Sequence, residues 1–298
     1  MSEIEKVRAL LSSEPRPQGW AERRARLDAI GTADPVSPDI RFESAHFRNV
    51  PVEWSQAPGS DASRVLVYFH GGGYCSGSIR SHRRLVSEAG RASGISTLAV
   101  EYRLAPEHPY PAALEDALLV YRSLRAKGFA ADQIALAGDS AGGGLTLALM
   151  LSLREAGEDQ PACAWLLSPW TDLRMTGGTM ETKDAVDPLI HRAYLEELAT
   201  AYLAGADPSK PAISPLHADL SRLPPLLIQV GSDETLLDDA VRLAAKAGAA
   251  DVATTLEIWP HMIHAWPLWA ARLEPGRLAI ASAARFVRAV MKAETAVH

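Results

Sequence analysis

From about residue 60 onward, short and nearly uniformly apolar runs alternate with longer amphipathic ones. The apolar runs Val65–Phe69, Ile95–Val100, Ile134–Ala137, Ala164–Leu167, Leu226–Val230 and Thr254–Trp259 predict strands. Strands of this kind are buried on both faces. The stretches between them carry helical spacing and predict helices over 80–93, 111–127, 141–156, 235–248 and 275–292. Strand and helix in strict alternation mean an α/β fold, with a mostly parallel sheet covered on both sides. The N-terminus departs from this rhythm. Residues 2–13 and 18–30 predict two short helices, with Ile4, Val7, Leu10 and Leu11 at helical spacing, separated by Pro15-Arg16-Pro17 and closed by Pro35 and Pro38. Residues 40–55 alternate as a hairpin would. Residues 171–222 also break the pattern. They exceed what a connection between strand and helix needs and carry a further predicted helix over 189–204.

Composition narrows the class. The chain has 298 residues, long for one domain but ordinary for a single α/β unit, and 47% of them are hydrophobic, enough for a large core. A net charge of -6 gives no footprint for nucleic acid. No stretch reaches the roughly 18 apolar residues of a membrane span. The start, Met1-Ser2-Glu3-Ile4-Glu5-Lys6, lacks the basic and apolar regions of a signal peptide, and Cys75 and Cys163 are too few for a disulfide framework. These features predict a cytoplasmic protein. No Cys/His cluster has metal spacing, so neither a metal nor another cofactor is expected.

The chemistry centres on Gly138-Asp139-Ser140-Ala141-Gly142, a G-x-S-x-G between the Ile134 strand and the helix that begins at 141. A serine hydroxyl is a weak nucleophile until it is lifted clear of the backbone and set beside a base. A sharp strand-to-helix turn does the lifting, and the glycines let strand and helix pass closely. The Ala141 amide then lies at a helix N-terminus, where unpaired N–H groups favour negative charge. Upstream, His70-Gly71-Gly72-Gly73 follows the Val65 strand. Glycine-rich backbone of this kind can approach and bind the oxyanion of an acyl-transfer intermediate. A plain glycine turn is the alternative for each string alone; the pairing of the two favours the chemistry. His70 is read as structural.

On this arrangement an acid and then a histidine follow the serine in chain order. The loop after the last strand holds His261 and His264, and the pattern does not separate them. His191 lies in the 171–222 segment, His217 near its end, and His298 is terminal. After the Leu226 strand comes Gly231-Ser232-Asp233-Glu234. Asp233 stands first in line as the acid, Glu234 is a close alternative, and Asp238 and Asp239 suit the first turn of a helix.

These strings resemble the bacterial hormone-sensitive-lipase-like esterases of the α/β-hydrolase fold. The match also includes Tyr74 after the glycines, Glu101-Tyr102-Arg103-Leu104-Ala105-Pro106-Glu107, Pro111-Ala112-Ala113-Leu114-Glu115-Asp116, Ser214-Pro215-Leu216 and Met262-Ile263-His264-Ala265-Trp266, in the family's order from about 60 to 285. The resemblance implies Ser140 as nucleophile, Asp233 as acid and His264 as base, with the amides of Gly72, Gly73 and Ala141 as the oxyanion hole. It selects His264 over His261 because an aromatic residue, Trp266, stands two places on. The acid region departs from the family, where Pro-Leu often follows the acid; here Asp233-Glu234-Thr235-Leu236-Leu237-Asp238 is spaced differently. Tyr74 and Trp266 are the expected pocket residues, and Tyr102 to Glu107 the expected scaffold.

The sequence therefore predicts a serine carboxylesterase acting on short- to medium-chain acyl esters. Residues 1–40 form a helical cap segment, and 41–298 form an α/β-hydrolase domain with a cap insertion at about 171–222. The partner is a small-molecule ester; a homodimer is the one assembly kept open. Arylformamide hydrolysis, acyl transfer to an alcohol, or a non-catalytic ligand-binding role on the same fold are the alternatives.

Overall fold

The computed structural model describes residues 1–13 and 15–293. In chain order the helices and strands are α1 (Glu3–Ser12), α2 (Gly19–Thr32), β1 (Arg41–Phe47), β2 (Val50–Gln56), β3 (Asp61–Phe69), α3 (Ile79–Ser93), β4 (Ile95–Val100), α4 (Ala112–Ala126), β5 (Ile134–Asp139) and α5 (Ala141–Glu155). They continue with β6 (Cys163–Leu167), α6 (Thr179–Thr182), α7 (Arg192–Leu203), β7 (Leu226–Gly231), α8 (Leu237–Ala249), β8 (Thr254–Trp259) and α9 (Glu274–Ala293). The strands form one sheet in the order β1-β2-β4-β3-β5-β6-β7-β8. The β1–β2 and β2–β4 pairs are antiparallel and all later pairs parallel. Among the described residues no helix is long and apolar enough to cross a membrane.

The period of two along each strand divides the core. Val65, Val67 and Phe69 of β3 face one cluster with Val120 of α4, Leu149 of α5 and Leu243 of α8. Leu66 and Tyr68 face the other, with Leu85 of α3, Val287 of α9 and Val7 of α1. β5 repeats the split, Ile134 and Leu136 to the first cluster, Ala135 and Ala137 to the second. Both faces are apolar because both are covered, which is why these strands read as continuous hydrophobic runs.

Several boundaries differ from the sequence expectation, and three of them have a visible reason near the site. β5 runs on to Asp139, because Gly138 and Asp139 still pair with Leu166 and Leu167 of β6. α7 starts at Arg192 rather than 189, because the Asp187 carboxylate accepts from the amides of Leu189 and Ile190 and turns the chain there. α8 starts at Leu237 rather than 235, because the preceding residues form a turn after β7.

α5 packs so closely that its first turn leaves no room for side chains. A Cβ on Gly142 would run into the carbonyl oxygen of Phe69 at the end of β3, and one on Gly138 into the backbone of Gly142. Gly142→Ala should therefore cost about 2–3 kcal/mol, the upper range of overpacking. Gly248, near the end of α8, has open space around it. Gly248→Ala should be neutral or stabilising by up to about 1 kcal/mol, the helix-propensity difference. Paired denaturant melts check this; equal stability of the two variants would contradict the packing.

Candidate active site

The site lies beyond the carboxyl ends of the parallel strands, where open α/β sheets place their ligands. Ser140 occupies the one residue between β5 and α5. Its φ of 53° and ψ of −122° lie where a non-glycine residue is strained. The backbone is pinned there: its N–H donates to Leu167 O at 2.9 Å, and its carbonyl accepts from Trp170 and Gly143 at 2.9 and 3.0 Å. Its side chain reaches a cavity of about 300 Å³ that is also lined by Gly71, Gly72 and His264.

The preceding residue, Asp139, holds the glycine loop. Its buried carboxylate accepts from the Gly71 amide at 2.9 Å, from the Tyr68 hydroxyl at 2.9 Å and from His82 Nε2 at 3.3 Å. Burial would raise this carboxyl, but the charge and hydrogen bonds of its neighbours, His82 first, hold it below the ordinary range. With Gly71 fixed, Gly72 and Gly73 turn through φ of 116° and 63°. Among the described residues the amides of Gly72 and Gly73 have no acceptor. The Ala141 amide opens α5, where no intrahelical acceptor exists. His70 serves this scaffold. Its Nδ1–H donates to Gly71 O at 2.8 Å and its ring stacks on Tyr102, whose hydroxyl donates to His70 O. Burial, helped by the adjacent His82, lowers its pKa to about 3, so it stays neutral.

His264 follows β8. Its Nδ1 lies 3.1 Å from Glu234 Oε2, and Glu234 is fully buried. The other Glu234 oxygen accepts from the Ser168 hydroxyl at 2.7 Å and from the Gly231 amide at 2.6 Å. Burial alone would lower the imidazole pKa. The Glu234 hydrogen bond and the charges of Glu234, Asp187 and Asp139 outweigh it and hold His264 above its ordinary value.

Here the order read from sequence is corrected. Asp233 does not reach His264. Its amide donates to Met262 O at 3.1 Å, which fixes the turn after β7 and sends its side chain outward to Arg8 at 2.7 Å and Lys183 at 3.9 Å. The next residue, Glu234, then faces inward. His261 is exposed and lies off the cavity, with its amide on Ser232 Oγ. His191 and His217 pair with Asp184 and Asp172, and His298 lies outside the described residues.

Two expected pocket residues are also relocated. Tyr74 is buried with its ring stacked 3.8 Å from that of Tyr202 of α7. Trp266 turns beneath the catalytic loop because Ala265 adopts φ 50°, and its Nε1–H donates to Pro275 O. Neither lines the cavity. Burial pushes the Cys75 thiol up to about 12, which removes it as a nucleophile. Among the described residues no cluster of three or more His, Cys, Asp and Glu is placed to hold a metal.

The sequence reading missed His82 and Asp187. His82 sits on the buried face of α3 among serines and apolar residues, so its spacing gave no distinct signal. Asp187 gave none. Its carboxylate accepts from the Thr235 amide at 3.0 Å and so ties the acid turn to residues 188–190, which line the cavity. More of the wall comes from α1 and α2, including Leu11, Leu27 and Ile30, from Tyr194 and Leu198 of α7, and from Leu268 after the His264 loop.

The family model for the alpha/beta hydrolase fold matches residues 66–268. An acetyl-hydrolase of Streptomyces hygroscopicus is 42% identical over 293 residues, covering 96% of each chain. An esterase of Acinetobacter venetianus is 34% identical over 264 residues, covering 88% of this chain and 87% of its own. Among solved structures, an esterase from the bacterial hormone-sensitive lipase family has a TM-score of 0.95 at 42% identity, over 98% of this chain and 100% of its own.

The His264–Glu234 contact can be read without turnover. In a histidine-selective NMR titration, His264 should have its midpoint above 6.5. Glu234→Gln removes the chief interactions that raise it and leaves burial opposed only by the charges of Asp187 and Asp139, so the midpoint should fall. An unchanged midpoint would mean that the two groups are not coupled.

Proposed function

This chain belongs to the α/β-hydrolase-fold family, among the bacterial hormone-sensitive-lipase-like esterases, and from that premise we propose that it is a serine carboxylesterase working through Ser140, His264 and Glu234. The observation that carries the reading is the convergence on one cavity of a strained serine and a histidine anchored by a buried carboxylate, beside amides without acceptors.

With Nδ1 of His264 held by Glu234, Nε2 is the nitrogen left to act as base. It takes the Ser140 proton as Oγ attacks the ester carbonyl. The amides of Gly72, Gly73 and Ala141 receive the negative charge that develops on the carbonyl oxygen. The imidazolium then returns the proton to the departing alcohol, leaving an acyl-serine. Water, deprotonated by His264, repeats the sequence and releases the acid. Glu234 keeps the productive tautomer and stabilises the imidazolium without taking the proton. Because the base must be neutral and its pKa is raised, the rate should be lost as pH falls through a midpoint above 6.5.

The substrate reading is a short- to medium-chain ester. A 300 Å³ cavity lies at the small end for ligand sites. α1, α2 and residues 188–198 bound it, which favours the description of residues 1–40 and part of 171–222 as a cap. Rates on p-nitrophenyl butyrate, octanoate and palmitate should fall with length; a maximum at palmitate with activation at a lipid interface would make this a lipase.

Substitutions separate the roles. Ser140→Ala should lose roughly 10⁶-fold in kcat, and Glu234→Gln about 10³–10⁴-fold. Asp233→Asn should stay within about tenfold, because it weakens only part-exposed ion pairs with Arg8 and Lys183. Steady-state kinetics on p-nitrophenyl butyrate decide the matter; a greater loss from Asp233→Asn would return the acid role to Asp233.

A further inference from the structure

Ser168 is the first residue after β6. It is fully buried, and its backbone turns through φ 45°. Glycine is the default residue in that left-handed region, and a serine there is strained. The backbone is held from the neighbouring strand, since the Ser168 N–H donates to Gln229 O at 2.7 Å. Nothing in that turn asks for a side chain. The hydroxyl, however, joins the two loops that carry the acid and the base. It donates to Glu234 Oε1 at 2.7 Å and accepts from the Ala265 amide, next to His264, at 3.2 Å.

Donor counting fixes the direction of these bonds. The Ala265 N–H can only donate, and among the described residues the Ser168 proton has no acceptor other than Glu234. The second group on Oε1, the Gly231 N–H at 2.6 Å, can only donate as well. Oε1 is thus an acceptor twice over. A proton on Glu234 would have to sit on Oε2, on the line to His264 Nδ1 at 3.1 Å. This matters because burial pushes the Glu234 carboxyl up, and it stays above its ordinary value despite its bonds to His264 and Gly231. A packing role would need only a small side chain. It does not account for a hydroxyl bonded to both catalytic loops at a position whose φ favours glycine.

We propose that Ser168 is a positioning residue for the hydrolysis: its hydroxyl keeps Glu234 an ionised acceptor and ties the His264 loop to it. The inference rests on the esterase reading and adds a residue that acts through Glu234 without touching the ester. Ser168 transfers no proton in the reaction. The charges that face His264 are Glu234, Asp187 ahead of α7 and Asp139 at the end of β5, while His82, Arg16, Arg23 and Arg26 line the same cavity. Removing the Ser168 donor leaves all of these in place. It weakens support for the state in which His264 is neutral and Glu234 charged, so the pair should give up its last proton at higher pH.

The test uses the full chain and p-nitrophenyl butyrate. Ser168→Ala and Ser168→Gly should each lower kcat by about 10–10²-fold, the scale of one hydrogen bond to a charged group, with KM within about threefold. The acid limb of their kcat/KM profiles should move to higher pH. If Ser168→Ala fails to fold, Ser168→Gly, whose backbone suits the turn, carries the test. Ser168→Gly combined with Glu234→Gln should lie within about threefold of Glu234→Gln alone, because the hydroxyl acts through the acid. Wild-type kcat in either folded variant, a loss with the acid limb unmoved or lowered, or additive losses in the double variant would overturn the proposal. Wild-type turnover separates the two readings. If the wild type hydrolyses the ester and the Ser168 variants match it, this inference alone fails; if the wild type does not, the esterase reading fails and takes the inference with it.

Discussion

The buried carboxylate of Asp139 is the contact on which the site depends. It ends β5, immediately precedes the strained Ser140 and gathers three donors from different elements: the Gly71 amide, the Tyr68 hydroxyl of β3 and His82 of α3. A charged acceptor buried in this way is tolerable only when it is fully bonded. The need for donors therefore pulls the loop after β3 against the turn after β5. Among the described residues the amides of Gly72 and Gly73 are unbonded, because the glycine loop spends its first amide on Asp139 and leaves the next two without an acceptor. Close glycine packing at 138 and 142 brings α5 to the same place.

The segments proposed as the cap are fastened to these loops as well as packed on the core. Arg24 of α2 donates to the carbonyls of Cys75 and Ala105 and pairs with Glu107. Arg8 of α1 holds Asp233, next to the acid, and Asp187 holds the amide of Thr235 on the other side of it. A Cβ on Gly73 would strike Leu198 of α7, so that helix sits directly on the glycine loop. The groups that bound the substrate and the groups that align the catalytic residues are thus mechanically one unit. A change in the cap should be felt at Glu234 as well as in the choice of ester.

The strands and most helices were legible because their signal is local. β4 has the bounds that its apolar run implies, since both-face burial leaves a continuous hydrophobic string; β8, a half-exposed edge strand, has the expected bounds without that burial. Ser140 and the glycine loop were legible because turns and close approaches demand particular residue types, whereas the candidate His264 was separated from His261 only by the family resemblance. The acid was not resolved, because Asp233 and Glu234 are chemically similar neighbours. The choice between them depends on a backbone bond to Met262, distant in sequence, which turns one side chain out and the next in. Trp266 was misplaced for a related reason: the left-handed turn at Ala265 directs it below the loop.

The most direct measurement is kcat/KM for p-nitrophenyl butyrate in Asp139→Asn. Asparagine keeps the shape of the side chain but offers one carbonyl acceptor and a competing NH₂ to three donors. Ser140, His264 and Glu234 remain in place. If the carboxylate positions the oxyanion amides, the rate should fall by about 10²–10³-fold, the scale of losing one oxyanion donor. A folded Asp139→Asn enzyme that retains wild-type kcat/KM would contradict the account, because the glycine loop would then hold its position without the charge that is argued to hold it.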